Sequence, residues 1–445
     1  MSMDAIPKAL QYGSVTNSSA RVCRQKIQPL GVSTGSAGTT VRFLLPQKAI
    51  IDMRSLSFYY NYAISGLAQD NANWTWAQLP PSYQHWSSIK FFVSGASAAG
   101  AQCNHYNMVH HALAKASVGQ DWCLSRLNNG YDQILANTAF SNTVGAAGGG
   151  TSRSYDATLD DLILFRSKNY CYDSSLFGNL EVELTFADKN IIKLVGAGTA
   201  VADAAGKSAA FAAINHAFSN IVLCVDTVVS ISPLYVSLLS ERLQVSQPIR
   251  MPFSEVRSVQ SSTTGSNRIT LQSSCVDSVL VAFKNSANDN MTTNTAAELQ
   301  TLANVSAFKY GVADANSMGF QLTIGSEVYP RQAVAKLGEL LDCTTNALYG
   351  NDARSTNLLY HAVSGNGPSY AIANAASENA IALTKFAIGE EGWATGLLTG
   401  LQTNGIATDA VIASNSANSS RLLIAVMQTS QIVFDPQTSA VSIEA

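Results

Sequence analysis

His105, His110 and His111 lie close together in the chain, and imidazoles grouped in this way can ligate zinc. No second cluster of carboxylates or cysteines at ligand spacing accompanies them, so no metal residues are expected. Val201-Ala-Asp-Ala-Ala-Gly-Lys-Ser208 ends in the Gly-Lys-Ser of a phosphate loop, but Val201 stands where the first glycine must turn the chain. An Ala-rich surface helix is the simpler reading. Gly145-Ala-Ala-Gly-Gly-Gly-Thr151 has no βαβ pattern around it and reads as a loop tip rather than a dinucleotide site. Gly95-Ala-Ser-Ala-Ala99 departs from the G-x-S-x-G nucleophile turn at its last position. The pairs Asp160-Asp161 and Glu390-Glu391 fall in expected loops, where carboxylates are solvated. The residues therefore predict no catalytic, cofactor-binding or metal site, no cofactor, and a protein that is not an enzyme.

Aromatic residues form one further grouping, Trp74, Trp76, Tyr83 and Trp86 with Pro80-Pro81. Such a loop can stack on sugars or single-stranded nucleic acid. No Lys or Arg lies between Asp70 and Ser88, so packing on the protein itself or on a neighbouring subunit is favoured.

Composition narrows the function further. Of 445 residues, 27 are Lys or Arg and 30 are Asp or Glu, so 13% are charged where about 25% is usual. Ser, Thr, Asn, Gln, Ala and Gly take their place. A formal net charge of -3 argues against binding nucleic acid by phosphate neutralisation, which needs a clustered basic excess. The opening MSMDAIPKAL has neither the basic region nor the apolar run of a secretory signal, so none is expected. No apolar run approaches the ~20 residues of a membrane span. Cys23, Cys103, Cys123, Cys171, Cys224, Cys275 and Cys343 are spread out without a C-x-x-C pair and read as reduced, buried thiols.

The elements that carry these residues are mostly strands. Leu56, Phe58, Tyr60, Tyr62 and Ile64 alternate with Ser55, Ser57 and Asn61, the period of a half-buried strand. The same alternation recurs in Leu180, Val182, Leu184 and Phe186 with Glu181 and Glu183 facing out, in Val279, Val281 and Phe283, in Phe320, Leu322 and Ile324, and in Leu422, Ile424 and Val426. Helical spacing is confined to Tyr106–Lys115, Leu234–Leu243 and Ala333–Leu341, with Ala204–Ala217 helical by propensity.

The two halves of the chain echo one another. Val93 matches Ile324, each ending a strand ahead of a helical stretch; Leu56 and Phe58 match Val279 and Val281; Leu180, Val182 and Leu184 match Leu422, Ile424 and Val426; and Asn220-Ile-Val-Leu matches Gln431-Ile-Val-Phe. Order-preserving agreement indicates a duplication. The changing offsets place an Ala/Gly-rich insertion at about 190–219. The expected domains are 1–231 and 251–445, joined by a helical connector over 232–250 that opens at Pro233.

Ile89-Lys-Phe-Phe-Val-Ser-Gly, Asn104-His-Tyr-Asn-Met, Leu180-Glu-Val-Glu-Leu, Ser232-Pro-Leu-Tyr, Phe320-Gln-Leu-Thr-Ile-Gly-Ser-Glu-Val-Tyr-Pro and the stretch from Gly396 to Gly405 resemble the double jelly-roll major capsid proteins. That lineage includes tectiviruses and adenoviruses, and the resemblance is to its polinton-like virus and virophage members. It implies a mainly β fold of two tandem eight-stranded antiparallel jelly rolls, with short helical insertions and a helical connector. It also implies a major capsid protein of the virion that self-assembles inside the host cell as pseudo-hexagonal homotrimers, forming an icosahedral shell. The implied partners are neighbouring capsomers, penton and minor capsid proteins, and an internal membrane or core nucleoprotein, without sequence-specific nucleic acid binding. From another class, a tandem β-sandwich that binds carbohydrate or acts as an adhesin through the Trp74 and Trp76 loop is the alternative.

Overall fold

The computed structural model describes residues 22–66, 76–94, 96–117, 129, 143–145, 151–158, 171–195, 214–228, 239–241, 243–244, 248–261, 266–270, 273, 275–284, 304–305, 318–349, 362–364, 367–369, 381–387, 400–403, 409–416 and 421–444. Alternating β-branched and aromatic residues make most of these strands. In the first half they are β1 (Val22–Ile27), β2 (Thr40–Leu44), β3 (Ile50–Ser65), β4 (Trp86–Val93), β5 (Ala96–Asn104), β6 (Thr151–Thr158), β7 (Leu180–Phe186) and β8 (Asn215–Val228). In the second they are β9 (Ile249–Ser261), β10 (Ser266–Thr270), β11 (Val276–Lys284), β12 (Met318–Ile324), β13 (Glu327–Val334), β14 (Ile381–Lys385), β15 (Asp409–Ser416) and β16 (Arg421–Asp435).

Their pairing repeats. The first half forms sheets in the orders β1-β8-β3-β6 and β2-β7-β4-β5, and the second forms β9-β16-β11-β14 and β10-β15-β12-β13. Each second-half strand occupies the place of the strand eight positions earlier. All these ladders are antiparallel, and because β1 and β3 lie in one sheet while β2 and β4 lie in the other, the chain crosses between the sheets of the first half, as β9 to β12 do in the second. Short strands add to this frame: 171–173 pairs with β3, 440–444 with β16, and 304–305, 193–195, 76–78 and 143–145 form a small sheet drawing on both halves.

The β4–β5 and β12–β13 hairpins show how local sequence sets the repeat. Val93 pairs with Ala96 and Ile324 with Glu327, leaving two-residue turns that need positive φ. Ser94 supplies φ +53° in one and Gly325 φ +62° in the other. A helix follows each hairpin, α1 (Tyr106–Ser117) after β5 and, beyond the short α2 (Ser174–Phe177), α3 (Leu337–Tyr349) after β13. Tyr106, Val109, Ala112 and Leu113 bury one side of α1. At the start of α3 the Glu339 carboxylate accepts the Ala335 N–H at 2.9 Å, satisfying a donor that the helix leaves free. Thr344 ties the same helix to β14 through Ile381 and Leu383.

Several sequence expectations need correction. Ala333 and Val334 belong to β13 rather than to a helix, because Val334 pairs with Phe320. Leu422–Val426 and Gln431–Phe434, read as counterparts of two different strands, lie on the single strand β16. The true counterpart of β7 is β15: Leu180 pairs with Val93 as Ala410 pairs with Ile324. Residues 187–214 separate β7 from β8, and 417–420 separate β15 from β16. Asn215–Ala217, expected to end an Ala-rich helix, already run in β8. In the connector, 239–241 and 243–244 are helical and 249–250 are in β9; Pro233 and Leu234 lie outside the described residues. Cys103, Cys224 and Cys275 are buried free thiols, but Cys23, Cys171 and Cys343 are exposed.

Candidate assembly surfaces

The groups with acid–base potential are mostly walled in. His85, from the 3-10 turn Ser82–His85, shares a hydrogen bond of 2.7 Å between Nδ1 and the Tyr60 hydroxyl. It stacks on Tyr62 at 4.4 Å and meets Tyr155 edge-on at 4.7 Å. Burial, with His216 nearby, holds its pKa well below the usual histidine range, and burial raises the Tyr60 and Tyr62 phenols well above theirs. A neutral imidazole among protonated phenols is core packing and reaches no solute. His110 and His111 are buried against Tyr83, whose hydroxyl lies 2.6 Å from His111 Nδ1. Among the described residues no group of three metal-ligating side chains forms.

Tyr83 and Trp86, two of the aromatic residues that could have formed a binding platform, are likewise buried. Trp74, the Gly-Lys-Ser segment 201–208, Asp160-Asp161 and Glu390-Glu391 lie outside the described residues. Ala96–Ala99 begin β5, so no nucleophile turn exists there. A cleft of ≈ 420 Å³ between α3, β12–β13 and β14 is lined by Phe320, Tyr329, Leu340, Leu383 and Cys343. Burial and the neighbouring Asp342 and Glu339 raise the Cys343 pKa, which keeps the thiol protonated and a poor nucleophile.

The outer faces of the sheets are more informative. On β2-β7-β4, Glu183 receives Arg42 at 2.8 Å and Lys90 at 3.3 Å, and Glu181 lies 3.7 Å from Arg42. Desolvation raises the Glu183 pKa, but hydrogen bonds from Arg42 and Lys90 outweigh it, so the net shift is downward. On β1-β8-β3, Arg24 reaches Asp226 at 3.4 Å, Ser57 at 3.1 Å and the Tyr59 hydroxyl at 3.2 Å. Both faces are polar and half-solvated, as an antiparallel sheet with one wet side should be.

The sheet β9-β16-β11 differs: every residue of β11, and Leu422–Ser430 of β16, is buried. One face carries Val279, Val281, Ile424 and Val426 and fills its own half. The other carries Leu280, Ala282, Lys284, Leu423, Ala425 and Ser258, as the pairs Leu280↔Ala425 and Ser258↔Ala425 require. The first half covers that second face. The Ser258 hydroxyl donates to the Asn104 carbonyl oxygen, and Lys284 Nζ lies 3.5 Å from Met108 Sδ on α1. The expected simple alternation in β11 and β16 therefore gives way to two-sided burial, which brings Lys284 and Asp277 into the interior; Asp277 is held by Thr429 at 2.6 Å.

No family model matches the chain, and no curated protein matches it in sequence. Solved structures do. PBCV-1 VP54, a crystal structure fitted into a reconstruction of the virophage Sputnik, superposes with a TM-score of 0.55 at 11% identity over 96% of this chain and 98% of that one. The fold is the double jelly roll of viral major capsid proteins. A quasi-atomic model of the PBCV-1 virus capsid gives 0.56 at 12% identity, covering 96% and 97% of the two chains. The Faustovirus major capsid protein gives 0.54 at 8% identity, covering 93% and 90%. The double jelly roll accounts for the twice-repeated sheet order and for the contact between the halves. The sequence had exposed its repeat but not that contact, because two-sided burial leaves no periodic pattern.

Proposed function

We propose that the chain is a major capsid protein, assembling as pseudo-hexagonal homotrimers that tile an icosahedral shell in the virion. The observation that supports this most directly is the sheet order repeated twice, superposing over nearly the full length of solved capsid proteins. In this reading 1–231 and 251–445 are the two jelly rolls and 232–250 joins them. The role is mechanical, without turnover: many modest contacts sum through symmetry. Sparse charge suits it, since an unpaired charge buried between subunits is costly. The partners are further copies, penton and minor capsid proteins, and an internal membrane or core nucleoprotein that handles the genome's charge.

Light scattering and negative-stain microscopy of the purified protein test the proposal. Trimers with a six-lobed outline are the expected result. A monodisperse monomer that binds glycans and forms neither trimers nor shells overturns it.

A further inference from the structure

We propose that the cleft between α3, β12–β13 and β14 binds a single-chain fatty carboxylate, its acyl chain among the apolar wall residues and its carboxylate on the ammonium of Lys385. This site goes beyond the capsid reading and does not depend on it.

The repeat shows why a cleft forms there. β13 and β14 end the two sheets of the second half, as β5 and β6 end those of the first, so each sandwich edge is open where a helix does not cover it. Ladder registers align the two helices. Ile89 pairs with Cys103 as Phe320 pairs with Val334, and the helices open at Tyr106 and Leu337, each three residues further on. Leu340 and Cys343 on α3 therefore stand for Val109 and Ala112 on α1. Val109 and Ala112 are fully buried, because the first half fills the space beside α1 with its own chain. The turn Ser82–His85 packs between α1 and β6, with Tyr83 against His110 at 4.5 Å and the Tyr155 hydroxyl of β6 donating to the Pro80 carbonyl oxygen at 2.9 Å. Among the described residues no such turn packs between α3 and β14. Leu340 is buried but Cys343 is exposed, and both line the cleft.

The wall sets the ligand class. Phe320, Tyr329, Leu340 and Leu383 make it largely apolar, and its ≈ 420 Å³ lies low in the range of about 300–1,000 Å³ typical of small-molecule sites. That volume suits one acyl chain rather than the two of a phospholipid. Removing the chain from water is the driving force. Lys385 fixes the polar end. It is the only formally charged residue on the described wall and is half-buried, and its side chain makes no ion pair or hydrogen bond with a described residue. A carboxylate gives it a charge-assisted hydrogen bond next to the apolar wall. Glu339 and Asp342 act on Cys343 from α3, but neither lines the cleft, and Glu339 already accepts the Ala335 N–H.

Dodecanoate, titrated below its micellar concentration into the purified protein by calorimetry, tests the site. Saturable binding of one molecule per chain is expected. Labelling of Cys343 by N-ethylmaleimide, read by peptide mass spectrometry, should slow in proportion to occupancy, while the exposed Cys23 and Cys171 keep their rates. Lys385→Gln should weaken dodecanoate roughly tenfold or more, as loss of a hydrogen bond to a charged group does, and leave dodecanol binding unchanged. Cys343→Phe, which fills the cleft from an exposed position, should abolish binding of both, with an unaltered circular dichroism spectrum showing that the variant folds. Equal affinity for dodecanoate, dodecanol and dodecyltrimethylammonium overturns the carboxylate assignment, and absence of saturable binding overturns the site. So does a Cys343 that is unreactive before dodecanoate is added, since a second copy or another stretch of the chain then covers the cleft. Trimer formation by the unmodified protein tests the capsid reading separately and is unaffected by any of these outcomes.

Discussion

His85 shows how a residue that resembles chemistry becomes architecture. Its Nε2 has no hydrogen-bond partner among the described residues, and the same holds for Nε2 of His216, whose Nδ1 lies 3.2 Å from the Tyr62 hydroxyl. Burial lowers both pKa values below the usual 6.5. The folded protein thus keeps these rings neutral while the unfolded chain takes up protons near pH 6.5. The stability that neutrality contributes is complete above that value and is lost as the pH falls. The thermal midpoint should therefore drop from pH 7 to pH 5, and His85→Gln should give a shallower slope. Parallel slopes for the two proteins would show that His85 does not titrate in this way. Sequence reading singled out His105, His110 and His111 because they are neighbours in the chain. His85 and His216 escaped it because only the β3–β8 pairing brings them near one another.

At the scale of elements, the legible strands were those with one wet face. In β7 the order Leu180-Glu-Val-Glu-Leu-Thr-Phe alternates buried and half-exposed as written, and in β3 the inward set Leu56 to Ile64 is buried throughout. β11 and β16 kept the periodic residues on their inner face, but their other face is covered too. Leu280 belongs to that second face. Leu280→Ala should cost about 2–5 kcal/mol, the usual range for emptying a packed leucine site. Because the lost contacts join the halves, calorimetry should show the single transition broadening or splitting in two. A destabilised but still single, sharp transition would place Leu280 within one cooperative half instead. The misassigned repeat has its cause in the length of β16. β16 is long enough to resemble two strands in sequence, and only its unbroken pairing with β9, from Ile249↔Phe434 to Ser261↔Leu422, shows it to be one.

For the whole molecule, a net charge of -3 and outer sheet faces in which Arg42, Lys90 and Arg24 are already matched by Glu183 and Asp226 leave little to neutralise phosphate. The purified chain should show no measurable binding to duplex DNA by fluorescence anisotropy at ~150 mM salt, where even non-specific binders hold at about 10⁻⁴–10⁻⁶ M. Micromolar binding with a steep salt dependence would mean that a basic surface forms elsewhere. By itself the sequence determined the β class, the internal duplication and the scarcity of charge, since each is written in local periodicity or composition. Tertiary structure decided which strands are equivalent, which histidines meet, and that β11 and most of β16 are buried on both faces. Those depend on pairings between residues hundreds of positions apart, and a face covered by another half of the same chain has the composition of a core without the period of a surface.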